Sequence, residues 1–415
     1  MPRKLFVSLI FLSVHLMADI LSLDECIDKA IERHPDIRHF IFQIDKSQKG
    51  VDIARADYLP QISLNGEYDP LRTYTLPANG VFNTKDDDGW SVGGIVNQKI
   101  YDFSKTTLNI DAQKEQTAIA KLSLKDARAL LAYKVRLQYE LMLVYKKAIE
   151  VREKDMHSKE ELYNQANALV NQGMKTTADA TRFLSSYYIA KDNYAISKAN
   201  FNKARVTLSL YIDEQIKENI DLQDTISDNV MYVDDEDKIL QKSPTLNMLK
   251  EDIKRNDLLY RSIKASHYGS LDAVASYTHQ DTLNEYDSTL VGVTLKIPLY
   301  TGGRTSASAQ QAMINKDDAK ASYDSKALLL KEEIQKIYID LDRYEKTVAA
   351  KTAQKDAATS TYNLLNARYK EGLSTYIEVL DALSQKLDAE LGLLSVMYEK
   401  SSSINRLKYL QGKIR

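Results

Sequence analysis

Displaced by 199 positions, the sequence falls on itself. Tyr101 meets Tyr300, Lys105 meets Arg304, Tyr139 meets Tyr338, Tyr163-Asn164 meets Tyr362-Asn363, and Gly173 meets Gly372, with no gap from 101 to 173. Nearer the N-terminus the displacement becomes 209, where Pro35 meets Pro244, Ala56 meets Ala265 and Tyr68 meets Tyr277. The ten-residue change falls between 68 and 101, so one half carries a longer loop at the same place in the fold. The chain is therefore a duplication and must make one structural unit twice. The first repeat is 19–212 and the second 238–415. The acidic stretch 213–237, with Asp234-Asp235-Glu236-Asp237, joins them and reads as a solvated linker.

Each repeat reads helix, strand, strand, very long helix, turn, helix. Leu23 to Asp57 is expected as one helix of about 35 residues. Gln61–Asp69 and Trp90–Tyr101 alternate, the first with Ile62, Leu64 and Tyr68 on one face, the second with Trp90, Val92, Val96 and Ile100. In the second repeat Val291, Val293, Leu295, Ile297 and Leu299 face one way, and Leu290, Gly292, Thr294, Lys296 and Pro298 the other. Four strands of about ten residues each are the length of a tilted strand through a bilayer.

After the second strand of each repeat the helical pattern runs unbroken, over 104–170 and 305–370. Leu137, Leu141, Val144, Ala148 and Val151 step by four and three, as do Ile334, Ile337, Leu341, Tyr344 and Val348. That spacing is a coiled-coil seam. Glycine and proline number only 14 and 7 in 415 residues, which suits such long helices. The remaining helices, 23–57, 178–212, 240–266 and 377–411, are about half as long, so two placed end to end would match one long helix.

Residues 1–18 read as a signal peptide: Arg3 and Lys4, then an apolar run from Leu5 to Val14, then a small residue, Ala18, before the expected cut. The apolar run is too short for a membrane-spanning helix, and no later run is long enough. Cys26 is the only cysteine, so no intrachain disulfide forms. A net charge of −2 argues against nucleic acid as a partner. An exported chain with neither disulfides nor apolar helices belongs in the periplasm, or in an outer membrane that it enters as strands.

Four strands leave two open edges, which lipid does not accept. Copies of the chain must pair them, and a closed barrel of shared strands is the natural solution. The face with Ser91, Gly93, Asn97, Lys99, Thr294 and Lys296 suits a water-filled lumen. The same alternation also fits a soluble antiparallel sheet packed on one face.

Several segments resemble the TolC family of outer-membrane efflux proteins. They are Leu23-Asp24-Glu25 through His34-Pro35, Ser243-Pro244, Ala54-Arg55-Ala56-Asp57-Tyr58-Leu59-Pro60-Gln61-Ile62, Lys296-Ile297-Pro298-Leu299-Tyr300-Thr301-Gly302-Gly303-Arg304, and Arg368-Tyr369-Lys370-Glu371-Gly372 with Ile377-Glu378-Val379-Leu380-Asp381-Ala382. Gln98-Lys99-Ile100-Tyr101-Asp102-Phe103-Ser104-Lys105 is the degenerate partner of the fourth, with Phe103-Ser104 where Gly302-Gly303 stand. The resemblance covers nearly the whole chain after residue 18. It implies an α+β membrane fold in which a homotrimer shares a twelve-stranded barrel through the outer-membrane lipid, continued by an α-helical coiled-coil tunnel in the periplasm. It further implies partnership with a periplasmic adaptor (membrane fusion) protein and an inner-membrane transporter, as exit duct of a tripartite efflux pump or type I secretion system. The alternative from another class is a soluble periplasmic coiled-coil scaffold or adaptor.

The strand-to-helix bend falls to Gly302 and Gly303, because glycine tolerates strained backbone; the spacing is not that of a phosphate loop. The adaptor is expected at the two helical turns, Gly173-Met174 and Gly372-Leu373, where an exposed apolar residue adjoins the glycine. For the glycines alone, turn conformation is an equal explanation. The resemblance places acidic gate rings at Asp179, Glu378 and Asp381. Thr176-x-x-Asp179 and Thr375-x-x-Glu378 are also capping-box patterns, so both readings stand for those two acids; Asp381 lies beyond the box. Clustered carboxylates would repel and raise their own pKa values. The scattered histidines have no ligand spacing, so no metal or cofactor is expected. Asp86-Asp87-Asp88-Gly89 is read as a solvated outer loop in preference to a calcium site, and no nucleophile–base pair points to an enzyme.

Overall fold

The computed structural model describes residues 20–78, 80–223 and 235–414; the expected signal peptide and the middle of the acidic junction lie outside them. In chain order the elements are β1 Ile20–Leu21, α1 Leu23–Arg33, α2 Pro35–Ala56, β2 Gln61–Ala78, β3 Val81–Tyr101, α3 Lys105–Asn171, α4 Thr177–Ile212 and β4 Asp221–Leu222. Then come α5 Glu236–Lys242, α6 Pro244–Ala265, β5 Ser270–Asp281, β6 Glu285–Lys296, α7 Arg304–Lys370 and α8 Tyr376–Leu410. Both long helices, α3 and α7, run 67 residues.

Two features differ from expectation. The opening helix of each repeat is broken at its proline. His34 leaves the helix with φ −62° and ψ 128° before Pro35, because the proline ring disfavours helical backbone in the residue before it. The second repeat does the same at Ser243-Pro244, where Ser243 caps the Leu246 N–H. The first hairpin is also longer than the alternation suggested, at 18 and 21 residues. Asp86, Asp87, Asp88 and Gly89 lie inside β3 rather than in a loop. Thr73 donates to Asp86 across the hairpin at 2.7 Å, and Lys85 holds Asp87 at 2.7 Å, so two of the three carboxylates have partners on extended backbone. The ten-residue insertion is therefore a longer ribbon.

The described residues divide into two compact units, one drawn from 38–127 and 237–331, the other from 20–37, 128–223, 235–236 and 332–414. The first of these contains one antiparallel sheet in the order β2-β3-β5-β6. Its register aligns apolar residues across strands: Ile62 with Val96, Val96 with Ala275, Ala275 with Val291, and Ala273 with Val293. Ile62, Leu64, Val291, Val293 and Leu295 are exposed along that face. An apolar sheet face left open over four strands is suited to lipid and poorly suited to water. Beside the sheet Val51, Ala54 and Ile110 form a small core under Tyr58.

In the other unit the start of the acidic junction folds back on the first repeat. β4 pairs in parallel with β1, Glu214 binds Lys29 at 3.1 Å and Arg33 at 2.7 Å, and Lys146 pairs with Asp221. The Tyr139 hydroxyl donates to the Leu21 carbonyl at 2.7 Å. Nearer the helical turns, Leu162, Ala166, Ala180, Phe183, Tyr362, Tyr369, Val379, Ala382 and Leu383 make one core drawn from α3, α4, α7 and α8.

Candidate functional site

Three sets of residues carry the functional expectations, and each is built by local backbone chemistry. At the strand-to-helix bend Gly302 and Gly303 have φ of 63° and 81°, the left-handed region that glycine enters freely. Their counterparts, Phe103 and Ser104, hold φ of 54° and 68°, so two sequences make one bend. In the first repeat the buried Asp102 carboxylate organises it, accepting the Thr106 N–H at 2.9 Å, the Thr106 hydroxyl, and the Tyr58 hydroxyl at 3.1 Å. In the second, Thr301 Oγ1 accepts the Thr305 N–H at 3.4 Å.

The two helical turns share one hydrogen-bond pattern. Gly173 donates to the Val170 carbonyl and Met174 to that of Leu169; Gly372 donates to Tyr369 and Leu373 to Arg368, all at 2.8–3.0 Å. With φ of 73° and 76° at the glycines, these are left-handed helix ends that satisfy the last carbonyls. A Cβ at either glycine would meet nothing within 4 Å. Met174 and Leu373 beside them are 60% and 63% exposed. The shared core below brings the two turns to one end of the unit, through Phe183 against Tyr369 and Tyr376 at ring-centroid distances of 5.7 and 6.1 Å.

The three acids lie just past those turns. Asp179 accepts the Thr176 N–H at 3.3 Å and closes a capping box at the start of α4. Glu378 does the same for α8, accepting the Thr375 N–H at 2.7 Å and its hydroxyl at 2.8 Å. Those bonds, the backbone one foremost, hold Glu378 below the usual carboxylate range. Within one chain this is opposite to the direction expected of repelling acids. Asp381 takes no part in the cap; it is exposed and accepts the Gln385 amide at 2.8 Å.

One polar cluster was not legible in the sequence. Glu140 on α3 is 4% exposed and accepts the Asn405 amide on both oxygens and the Ser401 hydroxyl, each at 2.9 Å. Burial drives its pKa up against those hydrogen bonds and the nearby Arg136 and Lys408. Its partners are more than 260 positions away, so no local pattern marks it. Among the described residues no group of three or more His, Cys, Asp or Glu is placed to hold a metal, and no helix is long and apolar enough to cross a membrane.

The model of the family described as outer membrane efflux protein matches residues 26–212 and 237–413, once in each repeat. Outer membrane protein TolC of Escherichia coli strain K12 is 22% identical over 394 residues, spanning 88% of this chain and 77% of its own. Among solved structures, CusC superposes with a TM-score of 0.83 at 16% identity, over 94% of this chain and 91% of its own. VceC of Vibrio cholerae superposes with a TM-score of 0.80 at 14% identity, over 94% and 96%.

Proposed function

The chain belongs to the outer membrane efflux protein family, and from that premise we propose that three copies form the exit duct of a tripartite pump. The family places the chain in the outer membrane as an efflux channel rather than an enzyme, with a large periplasmic part of paired long helices. The soluble periplasmic scaffold is set aside, because the family match takes in both repeats and the sheet between them.

The carrying observation for assembly is the sheet. Its four strands end in two unpaired edges, β2 and β6, below one continuous exposed apolar face. Lipid tolerates no open edge, so further copies of the chain would pair them. Three copies supply twelve strands to one closed barrel.

In this reading the turns at Gly173-Met174 and Gly372-Leu373 receive a periplasmic adaptor protein, which links the duct to an inner-membrane transporter. The exposed Met174 and Leu373, with open space over both glycines, support a close-fitting contact there. Asp179, Glu378 and Asp381 then form carboxylate rings near the narrow end of the tunnel. Asp179 and Glu378 cap helices as well; Asp381, exposed and outside the cap, is the acid freest to meet a passing cation.

The test is the purified protein in detergent and in planar bilayers. The expected result is a particle of three chains that is heat-modifiable on gels and conducts as single channels. A monomer that stays in the soluble fraction and conducts nothing would remove the reading.

A further inference from the structure

Asp155 on α3 is 4% exposed, a buried charge that the duplicated fold does without in its other copy. Its counterpart 199 residues on is Gln354, which is exposed, and the counterpart of its partner Lys159 is Ala358. Lys159 donates to Asp155 Oδ2 at 3.0 Å. The other oxygen, Oδ1, is buried and accepts from no described residue. A buried carboxylate oxygen without a donor is costly, and native structures nearly always supply one. Helix pairing does not call for this acid, and the chain itself leaves half of it unpaired.

Asp155 lines a cavity of about 540 Å³ between α3, α7 and α8, all of it within one compact unit. That volume suits a drug-sized molecule. Two further acceptors line it. Ser158 lies one helical turn along α3, and Thr359 on α7 donates its hydroxyl to the Lys355 carbonyl at 2.7 Å, which leaves its lone pairs to accept. Val151, Leu383 and Leu387 supply an apolar wall, the last two 3% and 7% exposed. The lysines of the lining do not serve Asp155. Lys386 Nζ lies over the Tyr362 ring at 5.1 Å, and Lys355 pairs with Asp356 at 3.5 Å. Lys147 and Lys154 are matched in the lining by Glu150 and Glu390, so the rim repels neither sign of charge. Three acceptors beside an apolar wall match a group with three donors and no acceptor. A primary ammonium is that group; a hydroxyl has one donor and an amide adds an acceptor.

We propose that this cavity binds primary alkylammonium compounds, with the nitrogen at Asp155 Oδ1 and the chain along Val151, Leu383 and Leu387. Because Oδ1 lies beneath the wall, entry requires side chains to move aside; Glu150 and Lys154 are long and exposed, and can do so. The site is built within a single chain and stands independently of how copies assemble.

The test is equilibrium dialysis of radiolabelled n-hexylamine at pH 7 against the purified, detergent-solubilised protein, with protein-free micelles as the baseline. n-Hexanol, of nearly the same length, is the neutral probe. The expected result is saturable binding of one hexylamine per chain, with hexanol at least about tenfold weaker. Asp155→Asn should weaken hexylamine by about ten- to a hundredfold, the loss of one hydrogen bond to a charged acceptor, and Thr359→Val by about threefold. Helical circular dichroism checks that each variant is folded. Should Asp155→Asn fail that check, Thr359→Val and the wild-type comparison of the two probes decide. Hexanol bound as tightly as hexylamine, or hexylamine bound equally by folded Asp155→Asn, would reveal apolar partition alone and overturn the proposal. So would the absence of saturable hexylamine binding.

Discussion

Replacing Asn405 with alanine tests whether the buried Glu140 cluster is held as a charge. Asn405 supplies two of the three hydrogen bonds that Glu140 accepts, all at 2.9 Å, and Ser401 supplies the third. Hydrogen bonds to a charged group contribute about 1.5–3 kcal/mol each, and stripping a partner from a buried charge adds a desolvation penalty. The two bonds come from one amide, so they are not independent, and Lys408, itself pushed down by burial, is a weak counter-charge. The expected loss for Asn405→Ala is therefore about 3 kcal/mol at pH 8. The sign with pH follows from Glu140's raised pKa, whose first cause is burial. Its contribution is fully present below the unfolded-state value of about 4.3 and is lost as pH rises through the raised folded value. Removing Asn405 raises that folded value further, so the deficit should shrink to about 1 kcal/mol near pH 4.5, where a neutral carboxyl needs less compensation. Denaturant unfolding of the detergent-solubilised protein, followed by helical circular dichroism at both pH values, measures this. Glu140→Met with Asn405→Leu should lie within about 1 kcal/mol of wild type and lose the pH dependence, since a packed apolar pair replaces the cluster. An equal deficit for Asn405→Ala at pH 8 and pH 4.5 would show that lost packing, not uncompensated charge, explains the effect.

Gly372→Trp should cost about 1–2 kcal/mol at the turn, because Gly372 holds a left-handed φ of 76°, but a Cβ there meets nothing within 4 Å, so assembly and single-channel conductance should survive while efflux in cells is abolished by blocking the adaptor; retained efflux would move the docking site elsewhere. Asp381→Ala should reduce block of the channel by divalent and trivalent cations, and unchanged block in an intact trimer would remove it from the gate. Thr375→Val should weaken the start of α8 and flatten part of its pH dependence. Glu378's folded pKa is depressed by its bonds to Thr375, so its contribution is present above the unfolded-state value and lost as pH falls through the folded one. Melting curves between pH 3 and 7 with an undiminished slope would contradict that role.

The long helices were legible almost to the residue. The seam over 104–170 and 305–370 appears as Lys105–Asn171 and Arg304–Lys370, because uninterrupted periodicity ended by glycine leaves little choice. The break at Pro35 was missed because the apolar pattern continues through it, although the missing N–H and the ring decide the backbone locally. The long ribbon was missed because the alternation of the first strand was followed only to Asp69 and the Asp86–Gly89 run read as a solvated loop. Extended backbone wins there through cross-strand partners such as Thr73 for Asp86, which local spacing does not reveal. At the candidate site the capping boxes were readable from three-residue spacing. Burial of Glu140 was not, since it depends on which face of α8 meets α3.

The duplication supplies an internal control that separates what the fold needs from what it does not. A demand of the common backbone should appear in both copies. The capping boxes do: Thr176 with Asp179 corresponds to Thr375 with Glu378 at the same 199-residue displacement, and both close in the structure. Those acids would be retained whether or not a gate existed. The position three residues on is different. Asp381 corresponds to Arg182, whose guanidinium lies over the Tyr376 ring at 5.2 Å. The same place on a helix start thus takes either sign of charge, so helix initiation does not specify Asp381. The acid that the backbone does not require is the one whose removal should change ion passage while leaving the fold unaltered.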